Sequence, residues 1–104
     1  MREPLVKLIN QVFEIEKKIT AKPELNVLQR NITRMKEHFE ELGLNYHSPL
    51  GEPFNETRTD CEASIAGESS ENLVITEVIK PIVRQRDGNL FLIIQKGVVI
   101  AEAK

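Results

Sequence analysis

The amino-acid sequence predicts an α+β protein: an N-terminal helical hairpin forming a dimeric four-helix bundle, followed by a small antiparallel β domain. Three observations carry this expectation. Apolar residues recur at spacings of three and four as far as Leu42, and that period stops at Gly43. Two runs rich in β-branched residues then flank an Asp87-Gly88 turn signal. The division expected is residues 1–44 for the hairpin and 45–104 for the β domain.

The first helix is expected over roughly Glu3 to Thr20. Leu5, Leu8, Val12, Ile15 and Ile19 form one stripe, and Val6, Ile9 and Phe13 a second. At 100° per residue the two stripes stand about 110° apart, so half the helix is apolar and one partner helix cannot cover it. Ala21-Lys22-Pro23 breaks the pattern, and Pro23 suits the first turn of a second helix, where its missing N–H costs nothing. Leu25, Leu28, Ile32, Met35, Phe39 and Leu42 then make a narrow heptad stripe, closed by Gly43 at a left-handed C-cap position. A wide and a narrow apolar face joined by a short turn leave surface uncovered, and packing two hairpins together covers it. The expected dimer interface is Leu5, Leu8, Val12, Ile15, Leu25, Leu28, Ile32, Met35 and Phe39.

Beyond Gly43 the character changes. Residues 45–72 carry Pro49, Gly51, Pro53 and Gly67 with little periodicity and suggest loop, turn and short strand. Leu73 to Val83 is expected to be a strand whose end, at Pro81, lies on a sheet edge or bulge. Leu90 to Ala101 is a second β-rich run with an interruption expected at Gly97.

Composition narrows the function. Hydrophobic residues at 40% provide for a packed core, whereas one Tyr, four Phe and no Trp limit what a compact monomer can bury, which favours oligomerisation. The formal net charge is −2 with no basic run, so no nucleic-acid partner is expected. A lone cysteine, Cys61, excludes an internal disulfide framework and fits a reducing compartment. No apolar run approaches membrane-spanning length, so no membrane association and a cytoplasmic location are expected.

Chemistry has little to stand on. Cys61, His47 and Asp60 can be drawn as nucleophile, base and orienter, or as a partial zinc set, but no local motif supports either arrangement. A single cysteine is more often a small buried hydrophobe, and His38 on the second helix a solvated residue. No catalytic, metal-binding or cofactor-binding residues are expected, and the protein is not expected to be an enzyme.

The order of short motifs resembles the GrpE family of nucleotide exchange factors. Glu3-Pro4-Leu5-Val6-Lys7-Leu8-Ile9 looks like the start of that family's first bundle helix, and Phe39-Glu40-Glu41-Leu42-Gly43-Leu44 like the end of its second. Gly51-Glu52-Pro53-Phe54-Asn55 is similar to a Gly-x-x-Phe-Asp-Pro loop, and Glu62-Ala63 falls where a His-Glu-Ala-Val is found. Val74 to Val83, Asp87-Gly88 and the last strand follow the family's order. Asn55-Glu56 replaces Asp-Pro, Cys61 stands in the place of the His, and Lys80-Pro81-Ile82-Val83 replaces Gln-Lys-Gly-Tyr. Gln95-Lys96-Gly97 offers a rival register for that last motif. The similarity covers nearly the whole chain but only the later part of the family's usual length, which implies a short form without the long N-terminal stalk helix.

What the resemblance implies is a homodimer whose β head binds the nucleotide-binding domain of a DnaK-type chaperone and favours an opened, ADP-free cleft. The expected partner contacts are Phe54, Ser70, Glu71, Asn72 and Leu73, with Arg84 and Arg86 on the hairpin. The alternative is a dimeric adaptor that uses the same scaffold without exchange activity.

Overall fold

The first apolar stripe becomes helix α1, Arg2–Ala21, in a computed structural model that describes residues 2–103. Ile9, Val12, Phe13 and Ile19 are its buried residues. On the helical wheel they span an arc of about 120°, with Leu8 and Ile15 just beyond its edge. Those two remain exposed.

The second helix differs from the expectation. Pro23–Leu28 winds as a 3₁₀ turn with no buried residue, and helix α2 begins only at Gln29 and runs to Glu41. A 3₁₀ turn advances three residues per turn instead of 3.6, so Leu25 and Leu28 lose phase with the residues that follow. Of the heptad stripe, Ile32 and Phe39 are buried, Leu25 and Met35 pack half-buried against the same core, and Leu28 and Leu42 are exposed. Gly43 then closes α2 as expected, with φ of 79° and its N–H donated to the Glu40 carbonyl. Its own carbonyl accepts the Arg86 N–H at 2.7 Å, tying the end of the helix to the sheet.

Seven strands follow: β1 (Leu44–His47), β2 (Pro53–Phe54), β3 (Cys61–Ala66), β4 (Leu73–Lys80), β5 (Ile82–Asp87), β6 (Leu90–Gln95) and β7 (Gly97–Ala103). They form a three-stranded sheet in the order β1-β5-β6 and a four-stranded sheet in the order β2-β4-β7-β3. The expected antiparallel domain is corrected in one pairing, since β3 runs parallel to β7 along its full length. The expected strand through Val83 is corrected too. Buried Pro81, which has no N–H to give a ladder, ends β4, and the chain re-enters as β5 in the other sheet. The chain crosses back at Lys96, beside the first crossing: the Gln95 side chain donates to the Pro81 carbonyl at 2.9 Å. The same amide exchanges hydrogen bonds of 3.0 and 2.8 Å with Asn10, which docks α1 on the crossover.

Two apolar clusters hold the layers together. Ile9, Val12, Ile19, Ile32 and Phe39 pack with Leu44 and Val83, joining both helices to the three-stranded sheet. Phe13 reaches a second cluster of Cys61, Ile75, Val78, Ile82 and Val99 between the sheets. Helix α1 therefore serves both cores, and the change from helix to strand at Leu44 does not divide the packing. Each such large apolar side chain contributes about 1.5–3 kcal/mol by leaving water. Of the residues drawn as a dimer interface, Val12, Ile32 and Phe39 are buried within a single chain, whereas Leu8, Ile15 and Leu28 are exposed.

Candidate partner-binding surface

The residues expected to contact a partner fall in two places. Phe54 on β2 pairs across the ladder with Leu73 on β4. With Ser70, Asn72, Asn55 and Ile65 they line an open cleft of about 490 Å³. Leu73 is buried at its base and Phe54 half-buried in its wall. Asn72 holds φ of 54°, a left-handed conformation that Asn tolerates better than most residues. Glu71 is exposed beside it, its N–H donated to the Ser69 hydroxyl at 3.2 Å. Arg84 and Arg86 belong to β5, in the other sheet. The Arg84 guanidinium stands 3.5 Å from the Asp60 carboxylate, and that of Arg86 lies over the Phe91 ring at 5.4 Å.

Between these places runs a chain of charged groups that the sequence did not reveal. Arg58 donates from Nε to Asp60 at 2.6 Å and from Nη2 to Glu52 at 2.7 Å, with a third bond to the Pro53 carbonyl. His47 sits on the other oxygen of Glu52. The Arg58 hydrogen bonds hold the Asp60 carboxyl below the usual range. For Glu52, burial acts to raise the value, and the hydrogen bonds from Arg58 and His47 outweigh it and lower it. The loop carrying Glu52 is itself pinned to β4, through Gly51 N–H to the Ile75 carbonyl and Ile75 N–H to the Glu52 carbonyl.

This network decides the fate of the candidate nucleophile. His47 is held by Glu52, with Glu52 and Arg58 between it and Asp60 in the hydrogen-bonded chain. Burial, with the charge of Asp60, pushes the Cys61 thiol up, opposite to what a thiolate nucleophile needs. Among the described residues no three His, Cys, Asp or Glu side chains gather to hold a metal ion.

A larger cavity, of about 510 Å³, opens between α1, α2 and the end of β1. Phe13 and Tyr46 form its aromatic wall, edge to face at 6.2 Å. Three of its polar side chains meet one another and a fourth meets the backbone. The Tyr46 hydroxyl donates to Glu16 at 2.7 Å, Lys36 lies 3.4 Å from the same carboxylate, and Lys17 donates to the Val78 carbonyl. Burial and then Glu16 push the Tyr46 phenol well above its ordinary value.

The most exposed apolar surface in the sheets lies elsewhere. Leu90, Phe91, Leu92 and Ile93, consecutive on β6, are 68, 47, 46 and 41% exposed. Their unbroken apolar run was visible in the sequence, but such a run fits a strand buried on both faces equally well.

Compared with known proteins, the chain matches no family model, and neither a curated protein nor a solved structure matches it significantly. No described helix is long and apolar enough to cross a membrane.

Proposed function

We propose that the chain is a non-catalytic binding module that acts as a GrpE-like nucleotide exchange factor on a DnaK-type chaperone ATPase. The observation that carries the proposal is a helical pair leading through Gly43 into a braced two-sheet β module. The Phe54–Leu73 cleft and the Arg84 and Arg86 side chains are offered from rigid strands of that module. The motif order supports the same reading. Exchange needs no reacting group. It needs tighter binding to the open, ADP-free chaperone than to the closed one, and a stiff head keeps that preference from being lost in its own deformation. In its finer form two copies join helical pairs in a four-helix bundle, and of the expected seam residues Leu8, Ile15 and Leu28 are exposed and free to make it.

A preference of about 3 kcal/mol for the open state corresponds to a roughly 150-fold change in nucleotide affinity, and ADP must weaken the complex by the same factor. The test is a titration of a DnaK-type chaperone with the chain, with and without ADP. ADP-sensitive binding and faster release of a fluorescent ADP analogue are expected, both abolished by Glu71→Ala, Arg84→Ala and Arg86→Ala combined at an unchanged melting temperature. The second reading, a dimeric adaptor, is favoured by the separation of the cleft from the two arginines on different sheets. An adaptor binds its partner whether or not ADP is present.

A further inference from the structure

Charge is divided unevenly along the chain. From Glu37 to Ile79 there are ten acidic residues and one basic residue, Arg58, a balance of −9. The rest of the chain carries thirteen basic and six acidic residues, a balance of +7. Every residue that lines the Phe54–Leu73 cleft belongs to the acidic stretch. Its floor is apolar. Phe54 pairs with Leu73, Leu73 with Ala103, and Ile65 with Ala101 two residues back along β7, so Phe54, Leu73 and Ile65 share one face of the four-stranded sheet. Ile65 remains 43% exposed there. The rim is anionic: Glu56 lines the cleft, Glu68 and Glu71 flank it on the turn between β3 and β4, and all three are exposed.

No cation is placed to cancel that rim. Among the described residues none of the three carboxylates is in an ion pair. Arg58 is taken up by Glu52 and Asp60 at 2.7 and 2.6 Å, and Arg84 also turns to Asp60. Lys80 and Lys96 lie seven residues from Leu73 and Ala103, at the far ends of β4 and β7, about 20 Å away at the rise of a strand. Lys104 lies outside the described residues and offsets at most one of the three. Unpaired like charges around a cleft raise its potential and concentrate the opposite charge there.

We infer that this cleft takes an extended segment of a protein partner in which an apolar side chain is flanked by lysine or arginine. The apolar group rests on Phe54, Leu73 and Ile65, and the cations reach Glu56 and Glu71 on their long stems. An acidic segment meets repulsion at the rim, and a polycation with no apolar group leaves the floor wet. The inference rests on the reading of this cleft as a partner contact and gives that partner its chemistry.

The test is a polarisation titration of the purified full chain with a labelled Lys-Leu-Lys-Leu-Lys peptide. It should bind at least about tenfold more tightly than Glu-Leu-Glu-Leu-Glu or Lys-Ser-Lys-Ser-Lys. Glu56→Gln combined with Glu71→Gln should weaken it roughly fivefold, the effect of two exposed ion pairs. Ile65→Ser should weaken it several-fold with the circular dichroism unchanged. Glu37→Gln combined with Glu40→Gln removes the same charge from the same acidic stretch, on exposed positions of α2, and should leave binding as it was. Equal losses from the two double variants would reduce the effect to net charge and overturn the inference. So would equal binding of the three peptides, or no binding of the lysine–leucine peptide at roughly 1 mM. A salt-sensitive dimer that excludes the peptide would assign the cleft to the basic helices of a second copy and overturn it too. The exchange reading fails separately: peptide binding without chaperone binding sinks that reading alone. ADP-sensitive chaperone binding that survives Glu56→Gln with Glu71→Gln sinks this inference alone.

Discussion

Strands β6 and β7 follow one another with only Lys96 between them, and both are rich in branched apolar residues, yet they meet opposite fates. In β7, Gly97, Val99 and Ala101 are buried and Val98 and Ile100 half-buried, while the first four residues of β6 are all exposed. Strand β7 has β4 on one side and β3 on the other, whereas β6 has only β5. Phe13 from α1 and Ile82 from the other sheet share a cluster with Val99 of β7, while α1 docks on β6 at its Gln95 end. Neighbours on both edges and a layer above decide whether a strand is core, and composition does not.

The same substitution on each strand gives the sharpest contrast. Val99→Lys places an ammonium in a dry cluster and should cost more than about 4 kcal/mol, enough to unfold the chain in a urea titration. Leu90→Lys should change the stability of the single chain by no more than about 0.5 kcal/mol, and a larger loss would mean that the chain's own residues cover β6.

The junction between the strands comes next. A Cβ on Gly97 would stand 3.0 Å from Ile82 Cγ1 and 3.3 Å from Cys61 Sγ, so Gly97→Ala should cost about 1–3 kcal/mol by overpacking. Gly43 holds the opposite end of the three-stranded sheet to the helices. A Cβ there would meet Arg86 Cβ at an ordinary 3.6 Å, so the cost of Gly43→Ala is conformational, about 1–2 kcal/mol for the left-handed φ. Replacing Gly51, which also has positive φ but nothing within 4 Å, tests whether conformation alone accounts for that loss.

The smallest effect concerns the bracing beside β3. Glu52 and Asp60 are held below their ordinary values in the folded chain. As pH falls the unfolded chain takes up protons at those sites first, so folding loses their contribution. That contribution is complete above about pH 5 and disappears as pH drops through about 4 and below, beneath the unfolded values near 4. Urea midpoints between pH 3 and 7 should therefore decline on the acid side. Arg58→Gln should flatten the decline, and an unchanged slope would mean that the network does not set it.

Much of the fold was legible in the sequence, for identifiable reasons. Period and punctuation located α1, the left-handed Gly43 and the hairpin turn, where Gly88 has φ of 65° ahead of Asn89. The heptad from Leu25 misled because apolar spacing records which residues are apolar and not the local winding, and Pro23 started a 3₁₀ turn instead. Pro81 was recognised as a strand end but not as a corner, since the second sheet that receives Ile82 is assembled from residues far away in sequence. The candidate surface was less legible. Phe54 and Leu73 do come together, but Arg58 gave no signal, because its partners Glu52 and Asp60 are ordinary surface types until the loop folds back. The openness of β6 depends on what fails to cover it, which no local pattern records.

The central place of β7 also bears on how the chain is made. Val99 completes the cluster around Phe13, and Gln95 lies 85 residues from the Asn10 side chain that it grips. At 5–20 residues per second, Phe13 waits roughly 4–17 s after its own synthesis before Val99 exists. In that interval Ile9, Val12 and Ile19 can already meet Ile32, Phe39, Leu44 and Val83, but Phe13 lacks Val99, and non-local pairing of this kind is intrinsically slow to close. A nascent chain stalled before Gly97 would hold every residue of the first core and lack Val99 of the second. Its survival would depend on what shields that helix in the meantime.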